Sequence, residues 1–273
     1  MEQRSLAILG TGNIGGAIAR GLVSAGLYPP ARITLTRRKT EHLASFARQG
    51  FITSSDNRAA ARSSDLLVVA VTPQQLNGLL AELRDLIDPA RHVVISIVSG
   101  ATIAEIRAHL GAGVPVIRVM PNTAVAIRES MTCIASDSAR PDLLKEVTGL
   151  FDVLGRTLVI DEALMVPATA LCACGIAFFL RAVRAASQGG IEIGFHAEEA
   201  LLMAAQTAKG AASLLVEGES HPEREVDKVT TPQGCTISGL NQMEHNGFSS
   251  ALIKGIVTSA EKAAQLYAPG KRS

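Results

Sequence analysis

Leu6-Ala7-Ile8-Leu9-Gly10-Thr11-Gly12-Asn13-Ile14-Gly15 is the stretch whose reading decides the fold. Four apolar residues of a buried strand run straight into G-x-G-x-x-G, and a helical pattern follows over 13–25. The three glycines of such a turn allow a tight reversal, close approach of backbone to a pyrophosphate, and close packing of helix on strand. The free N–H groups of the first helical turn then face the anion. Gly10, Gly12, Asn13 and Ile14 are therefore candidate dinucleotide-binding residues. After the next strand, 33–36, a carboxylate would hold the ribose diol of NAD, but the chain has Arg37-Arg38. Two guanidinium groups there suit a 2′-phosphate, which predicts NADPH, with NADH as the lesser option.

Outward from that turn, strands at 6–9, 33–36, 66–70, 93–97 and 116–119 alternate with helices at 13–25, 74–86 and 102–110. A further strand at 131–135, a helix at 141–154 and a last strand at 157–160 complete the pattern. This is the rhythm of an α/β fold, a Rossmann-like, doubly wound and mainly parallel sheet over residues 1–160. From Asp161 the strand signal stops, and long Ala- and Leu-rich helices at 163–188, 197–217, 237–246 and 250–267 predict an all-α domain over 161–273. The end, 268–273, reads as a frayed tail. Residues 163–180 carry no charge over eighteen positions, the lower limit for a membrane span. Pro167, the flanking charges Asp161, Glu162, Arg181 and Arg184, and the preceding soluble-type domain favour a helix buried in protein, with a partner subunit as its cover.

Composition narrows the function. The chain has 273 residues, 47% hydrophobic and 3% aromatic, with 26 Lys and Arg against 25 Asp and Glu. A net charge of +1 with few aromatics lacks the basic excess and stacking surface that nucleic-acid binding needs. The start, Met1-Glu2-Gln3-Arg4, shows no apolar leader, so a cytoplasmic location without secretion or membrane insertion is expected. Cys133, Cys172, Cys174 and Cys235 follow no disulfide framework and read as free thiols. Cys172-x-Cys174 on a helix points its thiols apart and has no further ligands, so no metal site is expected.

Two more loops lie at carboxyl ends of strands, Ala70-Val71-Thr72-Pro73-Gln74 and Val119-Met120-Pro121-Asn122-Thr123. Ala70, Thr72, Met120 and Asn122 there are candidates to face the ribose or nicotinamide, although a plain turn explains such residues nearly as well. In the helical half, Asp227-Lys228-Val229-Thr230-Thr231-Pro232-Gln233-Gly234-Cys235-Thr236-Ile237-Ser238-Gly239-Leu240 places two hydroxyls before a Pro-Gly turn that opens a helix. Its unpaired N–H groups can hold a carboxylate; a merely well-capped helix is the other reading. Between 163 and 188 there is no Lys, His, Asp or Glu to protonate an alkoxide. A protonated cyclic imine already carries its charge and takes up hydride to give a neutral amine, so imine reduction asks less of the protein.

These residues resemble the Δ1-pyrroline-5-carboxylate reductase family along nearly the whole chain: G-T-G-N-I-G, A-V-T-P-Q, R-V-M-P-N-T, Q-T-A-K-G-A-A, His221-Pro222, and the last motif above. The resemblance implies an N-terminal Rossmann domain and a C-terminal helical domain that forms a homodimer, with assembly on to a decamer. It adds Asn57 and Glu219 to the cofactor contacts beside Arg37, Arg38, Thr72 and Asn122, and surrounds a small imino-acid substrate with Thr231, Gly234, Cys235 and Thr236. Thr236 is the implied proton donor. The implied reaction is NADPH-dependent reduction of the five-membered imine to L-proline. A six-membered imino acid, or an NADPH-binding paralogue without catalysis, remains open. The family's T-A-x-S-G-S-G-P-A-Y reads Thr169-Ala170-Leu171-Cys172-Ala173-Cys174-Gly175-Ile176-Ala177-Phe178 here, Thr72 stands where Lys is usual, and Gln233 replaces the first of two glycines.

Overall fold

Four-residue strands that are mostly apolar and buried at every position suit a parallel sheet covered on both faces. In the computed structural model, which describes residues 4–137 and 140–267, they form one. The strands are β1 (Leu6–Leu9), β2 (Ile33–Thr36), β3 (Ile52–Ser54), β4 (Leu66–Val69), β5 (Val93–Ser96), β6 (Val116–Met120), β7 (Ser130–Ser136) and β8 (Gly155–Val159). Their order is β3-β2-β1-β4-β5-β6-β7-β8. Every neighbouring pair is parallel except β6 and β7, whose connection holds only the 3₁₀ turn Thr123–Ile127 and is too short for a crossover.

Alternate side chains of the strands feed two cores. Ile8, Leu35, Val68, Ile95, Val119 and Ile134 face helices α1 (Asn13–Ser24) and α6 (Pro141–Asp152), which contribute Ile18, Leu22 and Phe151. Ala7, Leu9, Leu67, Val69, Val94 and Val116 face α4 (Pro73–Leu83) and α5 (Ile103–Leu110) through Leu76, Leu80 and Ile106. Thr102 caps α5 in a capping box with Glu105. The expected strand pattern omits β3 and the helices α2 (Ala44–Arg48) and α3 (Asn57–Arg62). Three edge residues with an exposed Ile52 leave no period to read.

The expected helix over 163–188 is not continuous. A 3₁₀ turn (Glu162–Leu164) and the short α7 (Met165–Ala168) lead into a π-helical turn (Thr169–Cys174) before α8 (Gly175–Glu192). Pro167 supplies no N–H to the ladder, and the Thr169 hydroxyl donates to the Met165 carbonyl at 2.8 Å, competing with the backbone bonds. Met165 and Ala168 pack on Met120, Cys133 and Ala135 at the ends of β6 and β7. The compact unit therefore runs on to Cys174 and takes the chain up again from Ser259. The sheet itself ends with β8 at Val159, just before Asp161.

The second unit spans Gly175–Thr258. It holds α8, α9 (Ala197–Gly218), α10 (Pro222–Val229), α11 (Cys235–His245) and most of α12 (Phe248–Ala263). The sequence pattern omits α10, a helix of only eight residues that is polar on average. Gly190 lets α8 meet α9, where an added Cβ would stand 3.0 Å from Ala200 Cβ. The run Glu162–Glu192 is long and apolar enough by length and composition to cross a membrane, and 28% of its most apolar window is buried within the chain. The expectation of a helix covered on every side is thus unmet by the single chain, with Phe179 and Leu180 each 62% exposed. Residues 1–3 and the tail 268–273 lie outside the described residues.

Gly10 illustrates how strictly the first turn is built: its φ is +89°, and a Cβ would stand 2.5 Å from Val71 Cγ1. Gly10→Ala is expected to destabilise the ligand-free protein by at least about 1 kcal/mol. Calorimetry should record a Tm lower by a few degrees, and an unchanged Tm would contradict this placement.

Candidate functional site

The strand order reverses between β1 and β4, and the loops after their carboxyl ends enclose a cavity of about 870 Å³. Gly10, Thr11 and Gly12 form one wall, Ala70, Val71 and Thr72 another, and Arg37, Arg38 and Asn57 line the side beyond β2. Gly12 is the N-cap of α1 and has no capping side chain. The first helical bond runs from Gly16 N to the Gly12 carbonyl, 2.9 Å, which leaves the N–H groups of Asn13, Ile14 and Gly15 without an intrahelical partner.

Each glycine of the turn meets a different constraint. A Cβ at Gly15 would lie 3.0 Å from Ile8 Cγ2, the close approach of helix to strand. A Cβ at Gly12 would meet nothing within 4 Å, and Gly12 lines the cavity. Nothing in the fold itself demands glycine there, so the open cradle fits the diphosphate of a dinucleotide.

A chain of hydrogen bonds holds this mouth. Gly10 N donates to Thr36 Oγ1 at 3.2 Å and Thr11 N to the Thr36 carbonyl at 2.7 Å. The fully buried Thr36 hydroxyl donates to Asn57 Oδ1 at 2.7 Å, and Asn57 Nδ2 donates to Glu82 Oε2 at 3.1 Å. Arg37 reaches back to the Thr11 carbonyl with Nη1 at 3.4 Å, while Arg38 stays exposed. Lys39, His42 and Glu82 also line the cavity and were not singled out from sequence. Lys39 had a local signal in continuing the basic run; Glu82 had none, since the sheet alone brings α4 there.

Other expected contacts are placed differently. Asn13 is exposed on the first turn of α1 and Ile14 packs against the core, and neither lines the cavity. Met120 is buried with Cys133, Ala135 and Met165 and does not line the cavity. Neither does Asn122: its Oδ1 accepts from Ala124 N at 3.0 Å and its Nδ2 donates to the Cys172 carbonyl at 3.3 Å.

In the second unit, Thr231-Pro232-Gln233-Gly234 closes a turn through Gly234 N and the Thr231 carbonyl, 2.9 Å. Gln233 takes the left-handed φ of +59° that glycine adopts most readily in the third place of a type II turn. Gly234 is fixed by space, because a Cβ would stand 2.5 Å from Thr231 Oγ1. It is the N-cap of α11 without a side-chain bond, so the N–H groups of Cys235, Thr236 and Ile237 are open, with Thr236 half-buried and Thr231 and Cys235 exposed. The arrangement can take a small carboxylate. Glu219 is exposed at the left-handed C-cap of α9, φ 49°. Among the described residues no three His, Cys, Asp or Glu side chains gather as metal ligands.

Comparison with known proteins gives the family. Residues 5–100 match the model of coenzyme F420-dependent NADP oxidoreductases, and residues 162–266 match that of pyrroline-5-carboxylate reductase dimerisation. A reductase of that name from Dictyostelium discoideum is 48% identical over 98% of this chain and 94% of its own length. The chain belongs to the pyrroline-5-carboxylate reductase family. A second reductase from that organism is 52% identical over 98% of this chain, which spans 50% of that relative's length. Among solved structures, the family member of Coxiella burnetii superposes with a TM-score of 0.88 at 27% identity, covering 97% of this chain and 99% of its own. That of Plasmodium falciparum, determined with NADP bound, shares the fold at a TM-score of 0.89 and 24% identity, over 98% of this chain and 100% of its own. As a reductase of this family the chain is an NADP-dependent, Rossmann-like oxidoreductase with an oligomerising helical region.

Since Gly12 faces open space, Gly12→Val should change the stability of the ligand-free protein by no more than about 1 kcal/mol. It should nevertheless abolish NADPH binding, read by fluorescence titration of the reduced cofactor. Retained affinity would show that the diphosphate lies elsewhere.

Proposed function

We propose that this chain reduces Δ1-pyrroline-5-carboxylate to L-proline with NADPH, as its relatives' names describe. The observation that carries the proposal is that α1 and α11 each open on a glycine N-cap without a capping side chain, one lining the dinucleotide cavity and one behind a Thr-rich turn. Bound at the first, NADPH supplies the hydride. Gly12 and the free N–H groups of Asn13 to Gly15 hold the diphosphate, and Arg37 and Arg38 hold the 2′-phosphate. Thr72 and Asn57 border the same cofactor.

The open N–H groups of Cys235 and Thr236, with the Thr231 hydroxyl, hold the substrate carboxylate, where charge-assisted bonds contribute about 1.5–3 kcal/mol. The Thr236 hydroxyl stands at the ring nitrogen as proton donor. An unactivated hydroxyl is a weak acid, and a protonated imine needs little from it. The exposed apolar residues of the helical unit, Leu202 and Ile253 among them, support a homodimer built through that unit. A decamer as the higher assembly, contact of Glu219 with the nicotinamide carboxamide, and a cytoplasmic location complete the proposal.

Arg37→Ala with Arg38→Ala should narrow the NADPH-over-NADH preference in kcat/KM by about tenfold or more, the loss of charge-assisted phosphate contacts worth about 1.5–3 kcal/mol. An unchanged ratio would mean that another group selects the nucleotide. Thr236→Ala should lower kcat by less than about a hundredfold, below the usual range for loss of a general acid, because the hydroxyl is unactivated and the protonated imine needs little from it. The direct test follows NADPH absorbance with five- and six-membered imino acids. Faster turnover of the six-membered ring would overturn the substrate assignment.

A further inference from the structure

Cys133 on β7 and Cys172 in the π-helical turn bring their sulfurs to 3.9 Å. Both belong to the first compact unit, and both are free thiols that the proposed reaction does not use. Cys133 is 3% exposed, whereas Cys172 is half-buried. Their shared hydrogen bond, in which either sulfur can donate, and burial raise the Cys133 thiol, while the same bond lowers the more accessible Cys172 towards the thiolate. The pair thus has the asymmetry of an attacking and a resolving cysteine.

We propose that Cys133 and Cys172 are a modification site for hydroperoxides, closing to a reversible disulfide. The Cys172 thiolate attacks the terminal peroxide oxygen; an S–O bond forms, the O–O bond breaks, and hydroxide leaves, or the alkoxide where the hydroperoxide is organic. Cys133 sulfur then displaces hydroxide from the Cys172 sulfenic acid; an S–S bond forms, the S–O bond breaks, and the Cys133 proton leaves with the hydroxide as water. Two thiols lose two electrons and the peroxide gains them. A disulfide needs about 2.05 Å between sulfurs, so the two must close by roughly 1.9 Å. The π turn, whose hydrogen-bond ladder is already interrupted, is the segment able to yield. Its Cys172 carbonyl accepts from Asn122 Nδ2, which links the closure to the loop after β6.

The test treats the full chain with one equivalent of hydrogen peroxide, alkylates remaining thiols, and maps a tryptic digest without reductant. The expected product joins peptide 129–145, since trypsin does not cut the Arg140-Pro141 bond, to peptide 157–181 and vanishes on adding dithiothreitol. Because 157–181 also carries Cys174, a Cys174→Ser variant assigns the sulfur, and the cross-link should persist in it. In folded Cys133→Ser, peroxide should leave a sulfenic acid on Cys172 that dimedone traps. Both cysteines still alkylated in the unmutated protein, or a cross-link through Cys235 instead, would overturn the assignment.

Discussion

The Thr36 hydroxyl is the constraint on which the dinucleotide mouth depends. Fully buried at the end of β2, it accepts from Gly10 N, donates to Asn57, and through Asn57 reaches Glu82 on α4. One hydroxyl with a donor and an acceptor role satisfied leaves no freedom to rotate, so β1, β2, α3 and α4 meet in a single register. A buried polar atom in such a network is costly to orphan, which makes the turn rigid before any ligand arrives. The glycines can then perform separate tasks: Gly10 the left-handed turn, Gly12 the open cradle, Gly15 the contact of helix with strand.

A second polar pair joins the sheet to the helical run. Arg118, 2% exposed on β6, meets Glu162 at 3.2 Å, and the same carboxylate oxygen accepts from Ile103 N at the start of α5 at 2.6 Å. Burial lowers the Arg118 pKa, and the hydrogen bond and charge of Glu162 oppose that shift. Removing Glu162 would strand the buried Arg118 charge, a larger cost than the pair itself contributes. Met120, Cys133, Met165 and Ala168 pack beside this junction, which explains why the compact unit continues past the last strand. The helical unit lacks an equivalent core of its own; its large apolar side chains face outward, as expected of a region whose family match is a dimerisation model.

Much of this was legible in the chain. The apolar four-residue strands, the turn Gly10 to Gly15 with its helix, and the Pro-Gly opening of α11 are local signals, because backbone period and glycine placement are written in consecutive residues. Less legible were β3, too short to show a period, and the π turn, which depends on Pro167, the Thr169 hydroxyl and packing against β6 and β7 together. Asn122 shows the limit most clearly. Its place after a strand suggests a ligand contact, yet its amide is used to cap a 3₁₀ turn and to hold the Cys172 carbonyl fifty positions on.

The amino-acid order by itself determined the doubly wound sheet, the arginine pair in place of a carboxylate after β2, and two helices opening on glycine, since each follows from propensity and spacing within a few residues. Only the tertiary structure decided that Thr36, Asn57 and Glu82 lock the first of those openings, that Met120 belongs to a core, and that Cys133 and Cys172 are neighbours. Those facts come from contacts between residues far apart in the chain, where the geometry of packing and not local preference chooses the partner.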